Sequence, residues 1–305
     1  MKQSHMKQNI FAVLAALIWG TAFVGQSLGA ENLEPFSFNA ARSIVGAAAL
    51  TLGLLVYRKI KPAADLRSPE EKRAGRRELL KGGLCCGTAL AVAACSQQIG
   101  ISMTTTGKAS FITALYIVLV PLCGLFMKKK VPGTVWLGVV VAVAGLYLIS
   151  VKDGFAVDTG DLVILFCAFC FTAQILLVDH FARKVDGVEL SCVQLTVSAL
   201  WSLLWALMFE HPTWAAVQAS LLPILYVGIF SSALAYTFQI LAQKGSDPAV
   251  VSLLLSLESV FGALSGALIL HERMTLREYC GCALVLTAVL LSQIDPAALK
   301  KRTDR

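Results

Sequence analysis

The sequence predicts an all-α polytopic membrane protein of ten transmembrane helices, built as two repeats of five helices each. Three observations support this fold class. The chain is 57% hydrophobic and only 15% charged, whereas soluble domains carry about 25% charged residues, and its mean hydropathy is +0.72. Ten long apolar runs follow one another along the chain. The placement of polar residues around Gln97 returns 142 positions later around Gln239.

Each apolar run is long enough to cross a bilayer, because a transmembrane helix needs about 20 mainly apolar residues. The runs are too long and too uniformly apolar for the strands of a β-barrel. Pro35, Pro132 and Pro248 stand at helix starts, which proline favours. With nine more runs after it, the first is predicted to be an uncleaved helix and not a signal peptide. We call the runs spans 1 to 10, and they cover residues 9–29, 36–57, 82–101, 106–127, 133–151, 161–181, 190–209, 220–242, 248–270 and 275–294.

The positive charges predict the orientation. The net charge is +7, and the basic residues are concentrated in the links between spans. With a cytoplasmic N-terminus, 21 of the 26 Lys and Arg residues lie in cytoplasmic segments and 4 lie outside, which is the bias that sets orientation in a bilayer. Both termini are therefore predicted to be cytoplasmic. Segment 58–81 is the most basic link and is expected to form a solvated surface that faces anionic lipids.

The two halves are predicted to be inverted relative to each other. Three positions pair across them: Gln97 with Gln239, Leu115 with Leu257, and Tyr116 with Glu258. Because each half has an odd number of spans, the second half enters the membrane from the opposite side, as in inverted repeats. The predicted units are residues 9–151 and 161–294, each with five transmembrane helices.

The composition also argues against other classes of protein. Basic residues confined to links between spans do not indicate a nucleic-acid partner. The nine cysteines lie in or beside apolar runs, which is not the pattern of an extracellular disulfide framework. The four histidines lie at span ends or in loops and form no metal site within the membrane. The segment 100–110 has the wrong glycine spacing for a nucleotide-binding loop. No cofactor and no metal is predicted.

Several short motifs carry a resemblance to a known family. They are Ala-Leu-Ile-Trp-Gly-Thr-Ala-Phe at 16–23, Arg42, Thr-Gly-Lys-Ala-Ser at 106–110, Leu115-Tyr116, Leu257-Glu258, His-Glu-Arg-Met-Thr at 271–275 and Gly281. On these residues the chain resembles a ten-helix member of the drug/metabolite transporter superfamily with two EamA repeats. It departs from the family at Ser259, where a proline often follows the Leu-Glu pair. It also departs at Lys130, near the position that corresponds to Glu272.

Two charged residues lie inside predicted spans, where a polar group without partners costs free energy. Glu258 lies close to the middle of span 9, at a cost of ~2.5–3.5 kcal/mol on insertion scales. It is predicted either to carry protons or contact a cationic substrate group, or to make a structural hydrogen bond or ion pair. Arg42 lies in the outer third of span 2 and stays protonated. It is predicted to hold a substrate carboxylate, to bond a helix-end carbonyl, or to extend towards the headgroups.

Amides and aromatic rings are the remaining candidates. An amide offers both a donor and an acceptor, so Gln97, Gln98, Gln174 and Gln239 are expected to bind a zwitterion or to hold helices together. The resemblance implies a central cavity lined by spans 1, 3, 4, 6, 8 and 9, although each single aromatic residue could equally pack in the core. The predicted substrate-binding residues are Trp19, Gln97, Tyr116, Gln174, Tyr236, Gln239, Ser256 and Glu258, with Glu258 also the candidate for proton coupling.

The resemblance implies a secondary transporter in the cell (plasma or inner) membrane and not an enzyme. It would export or facilitate small metabolites, such as amino acids or related organic compounds, by alternating access around a midplane cavity. The alternative is an intramembrane enzyme acting on a lipid or prenyl substrate, with Asp179-His180 as the one close pair of catalytic residue types. The expected partners are a small-molecule substrate and the lipid bilayer, and the sequence leaves a homo-oligomer open.

Overall fold

The computed structural model describes residues 2–60, 68–104, 106–128, 131–150, 158–269 and 274–293. Lys130, the His-Glu-Arg segment at 271–273 and the tail 294–305 lie outside the described residues. The α-helices are α1 (Lys2–Ala30), α2 (Pro35–Ile60), α3 (Pro69–Met103), α4 (Thr106–Thr113), α5 (Tyr116–Phe126), α6 (Gly133–Ser150), α7 (Thr159–Ala182), α8 (Gly187–Phe209), α9 (Trp214–Ala219), α10 (Leu221–Tyr226), α11 (Tyr236–Gln243), α12 (Pro248–Leu255), α13 (Leu257–Ile269) and α14 (Leu276–Ser292). A π-helix, Val227–Ala235, joins α10 to α11.

The helices match the predicted spans. Nine stretches of the described residues are long and apolar enough to cross a membrane. Helix α14 accounts for the tenth span, since its 17 residues extend about 26 Å at 1.5 Å per residue. The prediction of an all-helical chain of about ten membrane-spanning helices is confirmed, and no strand occurs in the described parts of the chain. The largest difference is helix α3, which begins at Pro69 and not near residue 82.

The distribution of side chains is that of a protein immersed in lipid. Large apolar side chains such as Leu52, Phe166 and Leu207 are more than half exposed on the outside of the bundle. Polar side chains such as Gln98 and Gln174 are completely buried inside it. A contiguous apolar exterior of this extent marks a surface that contacts a membrane.

Spans 4 and 9 are both interrupted, at equivalent positions. In span 4, helix α4 ends at Thr113 and α5 begins at Tyr116. In span 9, helix α12 ends at Leu255 and α13 begins at Leu257. Tyr116 and Glu258 therefore both lie in the first turn of the second half of an interrupted helix.

The interruption in span 9 forms without a proline, because Ser259 stands where the family often has one. Serine hydroxyls bond to backbone carbonyls just before it. The Ser252 hydroxyl donates to the Ala249 carbonyl at 2.8 Å, and the Ser256 hydroxyl donates to the Leu253 carbonyl at 2.7 Å. Such bonds compete with regular helix hydrogen bonding and bend helices, which accounts for a break that the sequence did not mark with proline.

Span 8 contains the π-helix in its middle. Gly228 in this segment lies so close to α2 that an added Cβ atom would be 2.9 Å from the Arg42 carbonyl oxygen. The π-helix also presents the Ser231 carbonyl to the Trp19 indole, which donates to it at 3.3 Å. π-helical turns are rare and occur mostly at functional sites, and this one borders the cavity described below.

The fifth spans of the two halves, α6 and α14, pack against each other in antiparallel directions. A Cβ atom added at Gly138 would be 3.0 Å from the Ala288 carbonyl oxygen, and one added at Gly145 would be 2.7 Å from the Gly281 carbonyl oxygen. The residue numbers thus rise along α6 while they fall along α14. Glycine at the crossing permits the close backbone approach that membrane helices use for packing.

The second spans of the two halves, α2 and α8, are also antiparallel neighbours. Asn39 near the start of α2 donates to Ser202 near the end of α8 at 2.7 Å. At the other end of the pair, Arg58 donates to Glu189. In both pairs, α2 with α8 and α6 with α14, the equivalent helices of the two halves therefore run in opposite directions.

We expect Gly145→Ala to destabilise the protein by about 1–3 kcal/mol, the range for inserting a methyl group into a close-packed contact. The added carbon would lie 2.7 Å from the Gly281 carbonyl oxygen and 2.9 Å from the Val285 amide nitrogen, and backbone atoms cannot rotate away. Gly53→Ala is the matched control, because nothing lies within 4 Å of a Cβ atom there. The measurement is unfolding by SDS in mixed micelles, and equal midpoints for the two variants would contradict the prediction.

A buried polar cavity between the spans

A cavity lies at the centre of the bundle and is bounded by spans 1, 2, 3, 4, 6, 8 and 9. Its volume is about 40 Å³, which admits only a few water molecules. The family resemblance implied a lining by spans 1, 3, 4, 6, 8 and 9. The structure adds span 2, which contributes Arg42. The lining residues are Trp19, Phe23, Gln26, Arg42, Gln97, Thr113, Tyr116, Phe171, Ile175, Ser231, Tyr236, Gln239, Leu255 and Glu258.

Glu258 and Tyr116, which occupy equivalent positions in the two halves, touch each other at this cavity. The Tyr116 hydroxyl donates to Glu258 Oε1 at 3.1 Å. Glu258 is 5% exposed and Tyr116 is 4% exposed. The Ser110 and Ser259 hydroxyls, 3.0 Å apart, join the same two spans. Glu258 is the only acidic residue in the cavity lining, and it forms no ion pair with any described residue.

Arg42 is the only basic residue in the lining, and its side chain is buried, with 2% exposure. Its Nε donates to Asn39 Oδ1 at 2.7 Å, and its Nη1 donates to Gln26 Oε1 at 3.3 Å. Both acceptors are neutral amides. Within the described part of the chain the guanidinium forms no ion pair. The side chain therefore points into the bundle and not towards the headgroups, and its bonds go to amide side chains and not to a helix-end carbonyl.

The partners of Arg42 are themselves held in place. Asn39 donates to Ser202 at 2.7 Å and to the Cys95 sulfur at 3.3 Å, which turns its carbonyl oxygen towards the guanidinium. The backbone carbonyl of Gln26 accepts from Gln98 at 3.1 Å. These bonds fix the guanidinium orientation with donors to spare, since a guanidinium carries five N–H groups.

The two equivalent glutamines both line the cavity and are bonded differently. Gln97 donates to the Thr113 hydroxyl at 3.4 Å. Gln239 donates to Gln174 Oε1 at 3.1 Å, and Gln174 in turn donates to Gln194 Oε1 at 3.2 Å. Gln239 Oε1 is buried and has no hydrogen-bond partner, so the cavity wall contains one unused acceptor.

Aromatic rings form the apolar part of the wall. Trp19 and Tyr236 meet edge to face with their centroids 5.0 Å apart. Phe23 and Phe171 complete this part of the lining. A wall of rings with few polar groups is typical of small-molecule sites, in which the polar groups fix the orientation of the ligand.

The structure brings together most of the predicted site residues but not all of them. Trp19, Gln97, Tyr116, Tyr236, Gln239, Glu258 and Arg42 line the cavity. Gln174 lies behind Gln239 in a second layer, and Ser256 bonds to its own helix backbone at the interruption of span 9. Sequence reasoning missed Gln26, although it follows Trp19 by two helical turns and lies on the same helix face. It also missed Phe23, Thr113, Phe171 and Ser231, which carry no distinguishing signal in an apolar chain.

Polar contacts close the bundle at the end of the cavity that we predict to face outside. Thr104 Oγ1 donates to Asp161 Oδ1 at 2.7 Å. Lys108 Nζ lies 3.3 Å from carboxylate oxygens of both Asp158 and Asp161. We call Thr104, Lys108, Asp158 and Asp161 the outer contact cluster, and it joins the turn between spans 3 and 4 to the start of span 6.

A smaller set of contacts closes the opposite end. Ser246 Oγ donates to Gln8 Oε1 at 2.9 Å, and Gln8 Nε2 donates to the Lys244 carbonyl. We call these three residues the inner contact cluster. Ser246 is equivalent to Thr104 in the 142-residue offset, so the two halves place corresponding turns at opposite ends of the bundle.

Two observations concern the alternatives of a metal site and of a catalytic Asp179-His180 pair. No group of three or more His, Cys, Asp or Glu side chains among them is placed to hold a metal ion. Asp179 accepts from Arg183 at 2.7 Å, and the His180 ring lies 2.7 Å from Lys184 Nζ. Each member of the Asp179-His180 pair is thus engaged by a basic neighbour at the end of α7.

An all-helical, multi-pass bundle around a buried polar cavity is the architecture of a membrane transport protein, and comparisons with known proteins agree. The EamA-like transporter family matches residues 6–151 and 158–293. An uncharacterized transporter of Archaeoglobus fulgidus is 30% identical over 291 residues, covering 91% of this chain and 83% of its own. The uncharacterized transporter YwfM of Bacillus subtilis (strain 168) is 27% identical and covers 98% of both chains.

The chain belongs to the EamA-like transporter family, and the resemblance found in the sequence is confirmed. One solved structure, described only as a crystal structure of protein, has a TM-score of 0.76, covers 98% of this chain and is itself covered to 99%. Its sequence identity of 17% means that it shows the fold alone.

Proposed function

We propose that this protein is a secondary transporter of small metabolites that carry both a carboxylate and an amine, such as amino acids and related compounds. One observation carries the proposal. The cavity contains a single buried guanidinium, Arg42, and a single buried carboxyl group, Glu258, and neither is ion-paired with the other or with another described residue. Buried charges are unfavourable without partners, and a zwitterion would supply both partners at once.

The neutral lining supports the same substrate class. Gln239 Oε1 is an acceptor without a partner, and it is suited to the N–H groups of an ammonium. The rings of Trp19 and Tyr236 would contact the apolar part of the substrate and, through their faces, its positive charge.

We propose that the two halves, residues 9–151 and 161–294, are inverted repeats in the cell membrane with both termini in the cytoplasm. The antiparallel packing of α2 with α8 and of α6 with α14 supports the inversion. The excess of Lys and Arg at one end supports the orientation.

Substrate would pass by alternating access, with one repeat rocking against the other. A cavity of about 40 Å³ holds a few water molecules, which is too little for an amino acid. Entry therefore requires the helices to separate at one end, and the outer and inner contact clusters are the bonds that would break in turn. The interrupted spans 4 and 9 and the π-helix of span 8 are the segments where the helices can bend.

The test is efflux from liposomes that contain the purified protein and an equimolar mixture of amino acids, simple amines and simple carboxylic acids. We expect the amino acids to leave faster than from protein-free liposomes, and the two single-function classes to leave no faster. Mass spectrometry of the external medium gives both the rate and the identity of each compound. Products of altered mass would identify an enzyme instead, and equal rates for all three classes would contradict the proposed role of paired charges.

A further inference from the structure

Helix α3 is longer than a membrane crossing requires, and residues 69–81 at its start carry five basic and three acidic side chains. The helix has 35 residues, about 52 Å at 1.5 Å per residue, compared with a hydrocarbon thickness of about 30 Å. Close backbone packing against neighbouring helices begins at Gly82 and Gly83, where added Cβ atoms would be 2.8 Å and 2.2 Å from atoms of Phe181 and Val193. Before Gly82, one side of the helix still touches the bundle, because Leu79 packs against the apolar cluster around Phe181. The opposite side of residues 69–81 is exposed, at the end that we propose to be cytoplasmic.

Four cations share one face of this extension with two leucines. Arg73, Arg76, Arg77, Lys81, Leu80 and Leu84 line one shallow groove, and at 100° per residue they occupy an arc of about 140°. All six are exposed, and the two leucines are 51% and 56% exposed. We call these six residues the basic groove. Leu84 continues the apolar exterior of the bundle, Leu80 lies at the level of Lys81, and the three arginines lie further out.

Among the described residues, the cations of the basic groove form no ion pair, although Lys81 is close enough to Glu78 to interact with it electrostatically. The nearby Glu78 forms an ion pair with Lys184, which follows α7, at 3.0 Å. Glu70 lies on the same face one turn beyond Arg73 and forms no ion pair with it. Four like charges within nine residues repel one another, so the groove favours a ligand that supplies negative charge.

We infer that the basic groove binds the headgroup of an anionic phospholipid in the adjoining leaflet. Arg76, Arg77 and Lys81 lie within about 8 Å of one another along the helix axis, which matches the depth of a headgroup region of about 5–8 Å per leaflet. Guanidinium groups bind phosphate through two parallel N–H donors. Leu84, about one turn closer to the membrane than Lys81, lies where it would contact the first carbons of the acyl chains. This site is separate from the transport cavity. The inference depends on the proposed membrane orientation only in assigning the site to the cytoplasmic leaflet.

The test compares two phospholipids with the same acyl chains, dioleoylphosphatidylglycerol and dioleoylphosphatidylcholine, by native mass spectrometry of the purified full-length protein. The variant replaces Arg76, Arg77 and Lys81 together by glutamine. A basic residue near an anionic surface contributes about fivefold in affinity, so we expect the triple variant to bind phosphatidylglycerol about 100-fold more weakly. Binding of phosphatidylcholine should not change.

The matched control replaces Lys7, Lys59 and Lys128, three exposed cations outside the groove, by glutamine. This control changes the net charge equally and should retain the affinity for phosphatidylglycerol. Three results would overturn the inference. They are an unchanged affinity in the groove variant, an equal loss in the control variant, and displacement of phosphatidylglycerol by millimolar glycerol phosphate, which would indicate a site for soluble phosphates. Thermal unfolding of each variant checks that it is folded.

Discussion

Glu258→Gln is expected to abolish accumulation of substrate on an imposed pH gradient while substrate exchange at equal pH continues. Glutamine has the shape of glutamate and can still accept the hydrogen bond of the Tyr116 hydroxyl, which lies 3.1 Å from Glu258 Oε1. It cannot bind or release a proton. Because Glu258 is the only acidic residue in the cavity lining, no other lining carboxyl group can replace it. The measurement is uptake into proteoliposomes with and without the gradient.

Two controls separate proton coupling from packing at this site. Glu258→Asp keeps a titratable group and should restore part of the gradient-driven uptake. Tyr116→Phe removes the hydrogen bond to Glu258 but keeps the Glu258 carboxyl group, so uptake by this variant should still depend on the pH gradient. If Glu258→Gln continues to concentrate substrate when the pH differs across the membrane, Glu258 is not the coupling group.

The second large effect is expected at Arg42, where glutamine should raise the KM for amino acids by about 10- to 100-fold. The range follows from about 1.5–3 kcal/mol for a hydrogen bond to a charged group. Arg42→Lys should recover only part of the affinity, because a lysine ammonium lacks the planar pair of donors that matches a carboxylate.

Arg58→Gln is the matched control for Arg42, because it makes the same substitution on the same helix. Arg58 lies at the far end of α2, is 54% exposed and pairs with Glu189, so its loss should leave the KM unchanged. A surface ion pair of this kind contributes little to stability. Equal effects at the two arginines would contradict a carboxylate-binding role for Arg42.

Hydropathy predicted the spans because lipid imposes a minimum length of apolar sequence, but it could not predict where α3 begins. The extension from Pro69 is polar and gives no hydropathy signal. Its start is nevertheless encoded locally. The Ser68 hydroxyl accepts from the Glu71 amide at 3.2 Å, and the Glu71 carboxylate accepts from the Ser68 amide at 2.7 Å. This capping box, followed by Pro69, could have been read from the sequence.

The placement of individual residues at the cavity was less predictable, because these helices are apolar on all sides. In such a helix no polar face fixes the rotation about the helix axis. An error of one residue in choosing the cavity-facing position turns the predicted face by 100°. Ser256 and Gln174 were predicted to line the cavity, whereas their neighbours Leu255 and Ile175 do so. The π-helix was not predicted, because nothing in the composition of span 8 distinguishes it from an α-helix; within it, Gly228 packs closely against α2.

The contacts that would close the two ends of the proposed pathway differ in part in their chemistry. The outer contact cluster contains an ion pair in which Asp158 is 64% exposed, so dissolved salt can screen it. The hydrogen bonds of the inner contact cluster are neutral and depend little on ionic strength, although the Ser246 carbonyl also accepts from the charged Arg183. The energy difference between opening to one side and to the other is therefore set in part by the salinity of the medium. In a dilute medium and in concentrated salt, the same protein would therefore populate its outward-open and inward-open states in different proportions.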